Sequence, residues 1–130
     1  MSTILVNTLT GTTTAGSIEV TGEGNSTTTN LQSGLAKMFV RANSVAVSND
    51  VESFNVSSAS DLSTDGNYDH SFTNPMVATV YSVTVSAQTA SAKMGSYSNL
   101  RTTTIEVNIH TSGGVASNAG HSIQIFGDLA

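Results

Sequence analysis

Hydrophobic and polar residues alternate along most of the chain after about residue 33, and a period of two is typical of strands with one buried face. The first such strand is the stretch GLAKMFVRA at residues 34–42. One face of this strand carries the residues Ala36, Met38, Val40 and Ala42. The opposite face carries Lys37, Phe39 and Arg41. The pattern therefore predicts a strand with an apolar core face and a basic, aromatic outer face.

Similar alternation predicts about seven strands after residue 33, separated by turns rich in Gly, Asn and Asp. Val45 and Val47 continue the first alternation, and a turn is expected at 48–50. The other strands are expected around 54–56 and at 67–73, 79–87, 102–110 and 121–126. Asp65-Gly66 is a hairpin signal, and 89–100 and 111–119 are expected to be loops of small residues. The predicted fold is all-β: an antiparallel β-sandwich head, jelly-roll-like, preceded by an extended strand arm.

The first 33 residues have a different character, because Thr, Ser, Gly and Asn dominate them. Two short strands are expected there, Thr3–Leu9 with Ile4 and Val6 in phase, and Ser17–Thr21 with Ile18 and Val20 in phase. Two short strands bury too little surface to be stable alone in water. We therefore expect residues 1–33 to be an arm for attachment or oligomerisation, and 34–130 to be the head. The alternative is a disordered N-terminal tail.

Composition narrows the possible partners of the chain. It has no Cys, so neither a disulfide framework nor a thiolate metal site is possible. With 4 basic residues and a net charge of −5, it lacks the clustered cations that neutralise nucleic-acid phosphates. No apolar run approaches the length that spans a bilayer, so membrane insertion is not expected.

The residues that could carry chemistry form no recognisable site. The histidines His70, His110 and His121 lack metal-ligand spacing, and His70 shares a predicted strand face with Tyr68 and Phe72, which favours a packed histidine. Asp61, Asp65 and Asp69 lie around a turn, but the order of acidic residues is not that of an EF-hand calcium loop. Side chains that cap their own turn explain these acids more simply. No catalytic triad or nucleotide-binding loop is present, so neither an enzyme nor a cofactor is expected.

The order of several motifs resembles the fibre-type and knob-like virion proteins of marine tailed phages, including cyanophages. These motifs are MSTILVNTLTG at 1–11, SGLAKMFVRA at 33–42, DVESFNVSSASDLSTDGNYDHSFTNPM at 50–76 and IQIFGD at 123–128. The chain departs from the family pattern at Met38-Phe39, where Ala-Trp is usual, and it has no long repetitive shaft. The resemblance implies a structural protein of the capsid or tail surface, assembled in the host cytoplasm. The missing shaft favours a capsid decoration protein or short fibre.

The expected partners follow from this resemblance. The chain is expected to form a homo-oligomer, with a trimer as the first expectation, and to dock through its arm on the major capsid protein or on tail or connector proteins. Ile4, Val6, Ile18 and Val20 in the arm, with Lys37, Phe39 and Arg41 in the head, are the predicted interface residues. Glu52 or Glu106 of a neighbouring subunit is the expected partner of the basic face, which could alternatively be an ordinary solvated surface. A second hypothesis is a fibre tip in which 88–100 and 111–119 bind a host receptor or glycan.

Overall fold

The computed structural model describes residues 6–10, 18–21, 28–43, 50–62, 65–88 and 92–127. The regular structure of these residues consists of ten strands and one helical turn. The chain divides into two units, residues 1–35 and 36–130.

The first unit contains a two-stranded antiparallel sheet. Strand β1 (Glu19–Thr21) pairs with β2 (Thr28–Asn30), and the helical turn α1 (Leu31–Gly34) follows directly. The prediction of a strand within 17–21 is confirmed for its last three residues, whereas β2 lies in a stretch where no strand was predicted. Residues 6–9 of the predicted strand Thr3–Leu9 are not in a strand, and Ile4 lies outside the described residues. In the described part of the chain, no helix has the length and apolar character needed to cross a membrane.

The second unit is a sandwich of two four-stranded antiparallel sheets, which confirms the predicted fold class. Sheet I has the order β4-β3-β10-β7, and sheet II has the order β5-β6-β9-β8. The strands are β3 (Ala36–Ala42), β4 (Asp50–Phe54), β5 (Val56–Asp61), β6 (Asn67–Phe72), β7 (Ser82–Gln88), β8 (Lys93–Ser98), β9 (Thr104–Thr111) and β10 (Gly120–Phe126). The consecutive pairs β3–β4, β5–β6 and β8–β9 each lie within one sheet.

The core lies between the two sheets and is built by the alternation seen in the sequence. From sheet I it receives Met38, Val40 and Ala42 of β3 and Ile123 and Ile125 of β10. From sheet II it receives Tyr68 and Phe72 of β6 and Ile105, Val107 and Ile109 of β9. Met76 and Tyr81, on the connection from β6 to β7, complete it. Successive strand side chains point to opposite faces, so each inward set leaves an equally regular outward set.

Asn55 forms the corner at which the chain passes from sheet I to sheet II. It separates β4 from β5 and has a positive φ of 59°, a conformation that Asn tolerates better than most residues. Its Nδ2 donates to the carbonyl oxygens of Lys37 at 2.9 Å and Asn74 at 3.0 Å. Its Oδ1 accepts from the Asn74 backbone N–H at 2.6 Å. One side chain thus ties β3 and the β6–β7 connection to the corner.

The segment 89–100, expected to be a loop, contains strand β8, so that expectation is wrong. Gly95 of β8 lies against Val85 of β7, where strands of the two sheets approach each other closely. A Cβ on Gly95 would lie 2.5 Å from Cγ1 of Val85, so the small residue is needed for this contact. The composition that suggested a loop is therefore the composition that lets β7 and β8 touch.

The prediction of a strand around 54–56 is wrong, because Asn55 separates β4 from β5. The strand expected at 79–87 begins at Ser82, and the strands expected at 67–73, 102–110 and 121–126 are observed with shifts of one or two residues at their ends. Asp65-Gly66 forms the β5–β6 turn, with Gly66 at φ 76°, as predicted. Asp50, expected within a turn, begins β4. Val45 and Val47 lie outside the described residues, as do positions 48 and 49 of the predicted turn.

We predict that Asn55→Ala lowers the free energy of unfolding by about 3 kcal/mol or more, because three hydrogen bonds of about 1 kcal/mol each are lost at a strained position. Asn55→Gly loses the same bonds but adopts positive φ without strain, so it should retain about 1 kcal/mol more stability than Asn55→Ala. Chemical denaturation of both variants measures the difference. Asn99→Gly is the matched control, since Asn99 also has positive φ (45°) but lies on the exposed surface. Equal stability of Asn55→Ala and the wild type would contradict this role.

Candidate interaction surface

The outer face of sheet I carries most of the phenylalanines of the chain. Phe39 and Phe54 lie opposite each other on β3 and β4, and their rings stack with centroids 5.9 Å apart. Phe126 follows the exposed Gln124 in the alternation of β10, so it points to the same side. Of the four phenylalanines in the chain, only Phe72 belongs to the core. Phe54 is 49% exposed, which is unusual for a side chain that gains so much from burial.

Two opposite charges lie beside the stacked rings. Arg41 and Glu52 are direct cross-strand partners on β3 and β4, two positions from the Phe39–Phe54 pair, and both are exposed. Arg41 nevertheless points away from Glu52, since its Nε donates to Oε1 of Gln88 at 3.3 Å. Among the described residues, the one ion pair joins Arg101 to Glu106, so Glu52 has no cationic partner there. A groove lined by Phe39, Arg41, Glu52, Ser122 and Gln124 runs beside these residues.

Lys37 does not belong to the exposed part of this face, although the alternation placed it there. The register between β3 and β10 passes from Met38 to Ala36 within one step, which leaves Lys37 as the extra residue of a β-bulge. Only 6% of Lys37 is exposed. The bulge also places Ala36 opposite Phe126 on the outer side. The prediction that Ala36 belongs to the core face is therefore wrong. A bulge of one residue cannot be read from alternation, because it is set by the partner strand.

The two acids named as partners of the basic face lie on different sheets. Glu52 is on the same face as Arg41, whereas Glu106 is on the outer face of sheet II opposite Asp69. Glu106 accepts from Arg101 at 3.3 Å and also from Asn99. Burial raises the pKa of Asp69, and the Glu106 charge adds to this rise against the opposing effect of Arg101. The outer face of sheet II is therefore acidic and hydroxyl-rich, unlike the aromatic face of sheet I.

The described arm residues expose apolar side chains. Val6 is 55% exposed and Val20 is 52% exposed, whereas Ile18 is half-buried, and its carbonyl oxygen accepts from the Leu31 N–H at 2.8 Å. Leu9 is also 62% exposed. These side chains are available for burial by a partner, which is the property that the arm hypothesis requires.

A hydrogen bond between two histidines joins the two sheets inside the core. His70 of β6 and His121 of β10 are buried, and their Nε2 atoms lie 2.9 Å apart. The His121 ring also packs on Tyr68, with ring centroids 4.6 Å apart. His70 is thus a packed histidine, as its position between Tyr68 and Phe72 predicted. Its pairing with His121 could not be read from the sequence, because the two residues are 51 positions apart.

The contacts of the pair determine its tautomers. His121 Nδ1 lies 3.3 Å from the Ala119 carbonyl oxygen, which can only accept, so Nδ1 of His121 carries a hydrogen. A neutral His121 then accepts at Nε2, and His70 donates from its Nε2. His70 Nδ1 is left as an acceptor, and it has no partner among the described residues. Burial, followed by the neighbouring His121, lowers the pKa of His70 to about 3, and burial also lowers the pKa of His121.

Neither the histidines nor the acidic turn forms a metal centre in the described residues, where no group of three or more His, Cys, Asp or Glu could hold an ion. His110 is on β9, directly opposite Met94 of β8, and it is only partly buried. At the turn, Asp65 accepts from Nδ2 of Asn118 at 3.3 Å, and Oδ1 of Asn118 accepts from the Gly66 N–H at 2.6 Å. The turn is therefore held by a distant asparagine and not by its own side chains alone.

The regions proposed for receptor contact are only partly loops. Tyr97, expected in a loop, is on β8 and is 46% exposed. The segment 112–119 does connect β9 to β10, and Val115 within it is 67% exposed.

Comparison with known proteins found no matching family, no similar curated protein and no similar solved structure.

We predict that the free energy of unfolding falls as the pH is lowered from about 6.5 toward about 3. In this window the unfolded chain binds protons at His70 and His121, whereas the folded chain does not, because burial lowers the pKa of both histidines. Each proton bound only by the unfolded chain lowers the free energy of unfolding by up to about 1.4 kcal/mol per pH unit. Urea denaturation at several pH values measures it.

The double variant His70→Gln, His121→Gln isolates the contribution of the pair, because glutamine retains hydrogen-bonding groups and does not titrate. The variant should lose less stability between pH 7 and pH 4 than the wild type does. His70→Gln alone provides the intermediate case if the double variant is too unstable. The same pH dependence in all three proteins would show that the pair does not contribute.

Proposed function

We propose that this chain is a structural protein of a tailed-phage virion, a capsid-surface decoration or knob protein or a short fibre protein, that assembles as a homo-oligomer and docks through its N-terminal arm. The observation that carries the self-association is the placement of Phe39, Phe54 and Phe126 outside the core on one face of sheet I. Large aromatic side chains dominate the energetics of protein interfaces. Phe54 is 49% exposed and lies beside the partly buried Phe39, so a covering partner would bury further aromatic surface there.

The arm supports the attachment part of the proposal. Among the described residues, the hydrophobic core comes from positions 38–125. The arm, in contrast, presents Val6, Leu9 and Val20 with more than half of each side chain exposed. A segment of this kind gains stability when its strands add to another sheet. The placement in a virion is supported by the motif resemblance, which spans both the arm and the head.

A second candidate function, a fibre tip that binds a host receptor or glycan, is favoured by one observation. Val115 stands 67% exposed at the tip of the connection between β9 and β10, where Gly114 has a φ of 79°. Quantitative mass spectrometry of purified particles would separate the two functions. A copy number comparable to that of the capsid shell protein supports decoration, whereas a copy number set by the tail supports a fibre tip.

We predict that a chain lacking residues 1–33 folds but is not incorporated into particles, because the core is retained while the attachment strands are lost. Circular dichroism and thermal unfolding report the fold, and immunoblotting of purified particles reports incorporation. The matched control is a full-length chain in which the connector GTTTAGS at 11–17 is replaced by Gly and Ser, since this leaves both predicted arm strands nearly complete. Full incorporation of the truncated chain would contradict the role of the arm.

A further inference from the structure

Four residues on the outer face of sheet I form a patch that is complementary to itself. We name this the β3–β4 patch and define it as Phe39, Arg41, Glu52 and Phe54. Phe39 is directly opposite Phe54, and Arg41 is directly opposite Glu52. Each pair therefore places one residue on β3 and its counterpart at the same level on β4. The second pair is a cation and an anion that do not bind each other within the chain.

This register has a geometric consequence for two copies that meet face to face. Consider a two-fold axis in the plane of the contact, parallel to the strands and midway between β3 and β4. Rotation about this axis preserves the level along the strands and exchanges β3 with β4. Arg41 of one copy then faces Glu52 of the other, and Phe39 faces Phe54. Every contact is made twice, as in any isologous interface.

We propose that two copies of this chain associate through the β3–β4 patch about such a two-fold axis. The proposal rests on the self-association in the proposed function and specifies its partner, symmetry and register. The half-exposed Phe54 of each copy enters the groove beside Phe39 of the other, which Arg41, Glu52, Ser122 and Gln124 also line. Within one chain, Arg41 donates to the neutral side chain of Gln88. In the dimer, Arg41 instead binds the carboxylate of Glu52 from the other copy, which is a stronger acceptor.

The charges explain why the occupant is a second copy. A partner that covers the patch has to supply an anion for Arg41, a cation for Glu52 and an aromatic surface at a fixed spacing, and the patch itself supplies all three. The outer face of sheet II is a poor alternative, since Asp69 and Glu106 would bring two acids to a face that already carries Glu52.

The register can be tested by charge exchange in the full-length chain. Arg41→Glu places two acids opposite each other at both contacts, and Glu52→Arg places two cations there. Each variant alone should raise the dissociation constant of self-association by more than about tenfold, because like charges across an interface cost more than 1.4 kcal/mol. Sedimentation equilibrium over a wide range of concentrations measures this constant.

Two combinations should restore the association. In an equimolar mixture, the Arg41→Glu chain presents two acids and the Glu52→Arg chain presents two cations, so both contacts of the mixed dimer join opposite charges. The double variant R41E/E52R restores opposite charges at both contacts of a homodimer. The mixture and the double variant should have dissociation constants within about threefold of the wild type, a difference of less than 1 kcal/mol.

Charge and folding need their own controls. Ser58→Glu, on an exposed position of sheet II, is the control for added charge and should associate normally. Arg41 and Glu52 are exposed, so their replacement should leave the fold intact, and circular dichroism verifies that each variant is folded.

The outcomes separate this proposal from the proposed function. Loss in the single variants with recovery in the mixture supports the two-fold contact. If the wild type self-associates and neither single variant weakens this association, the two-fold contact is overturned. It is also overturned if the single variants lose the association and neither the mixture nor the double variant restores it. Both outcomes leave the self-association of the wild type standing. A trimeric mass that the single variants do not change also overturns it, because a two-fold contact produces even-numbered assemblies. A wild-type chain that is monomeric at every concentration overturns the two-fold contact and the self-association together.

Discussion

The organisation of the head depends on one constraint, which is that two sheets share a single core and a strand can direct only every second side chain into it. On β3 this constraint assigns Met38, Val40 and Ala42 to the interior. Phe39 and Arg41 are then outside by necessity, whatever their affinity for water. The aromatic outer face of sheet I is thus a direct consequence of the way β3 fills the core, and a large apolar residue in that position is stabilised only if something covers it.

The interior is small and contains polar groups, and these groups have specific partners. His70 and His121 share one hydrogen bond across the two sheets, and Asn55 donates to carbonyl oxygens at the corner between them. Buried polar groups are costly unless they are hydrogen-bonded, so such pairs favour one relative placement of the two sheets over alternatives that would separate the partners. In a chain with no Cys and only four basic residues, these hydrogen bonds supply specificity that disulfides or buried ion pairs supply elsewhere. Burial lowers the pKa of both histidines, so the folded head favours the neutral form of the pair.

The proposed function rests on the outer surface of the head. Among the described residues, the polar clusters that could suggest chemistry, namely the histidine pair and the Asp65 turn, are used to hold strands together. The surface instead offers stacked phenylalanines beside an arginine and a glutamate that do not pair within the chain. A protein of this kind is suited to association, and the proposed structural role in a virion is consistent with its Ser- and Thr-rich surface, which loses little side-chain entropy on assembly.

Alternation along the chain was sufficient to predict which residues of most strands face inward, because it depends only on near neighbours in the sequence. The core face of β6, the inward residues Met38, Val40 and Ala42 of β3 and the turn at Asp65-Gly66 were predicted from such local patterns. Features that depend on how distant strands align became visible only in the folded head. These are the bulge that buries Lys37, the β8 strand that passes Val85 at Gly95, the meeting of His70 with His121, and the register that sets Arg41 opposite Glu52. Each involves two segments whose relative position is set by packing of the whole core, and local propensity contains no information about that alignment.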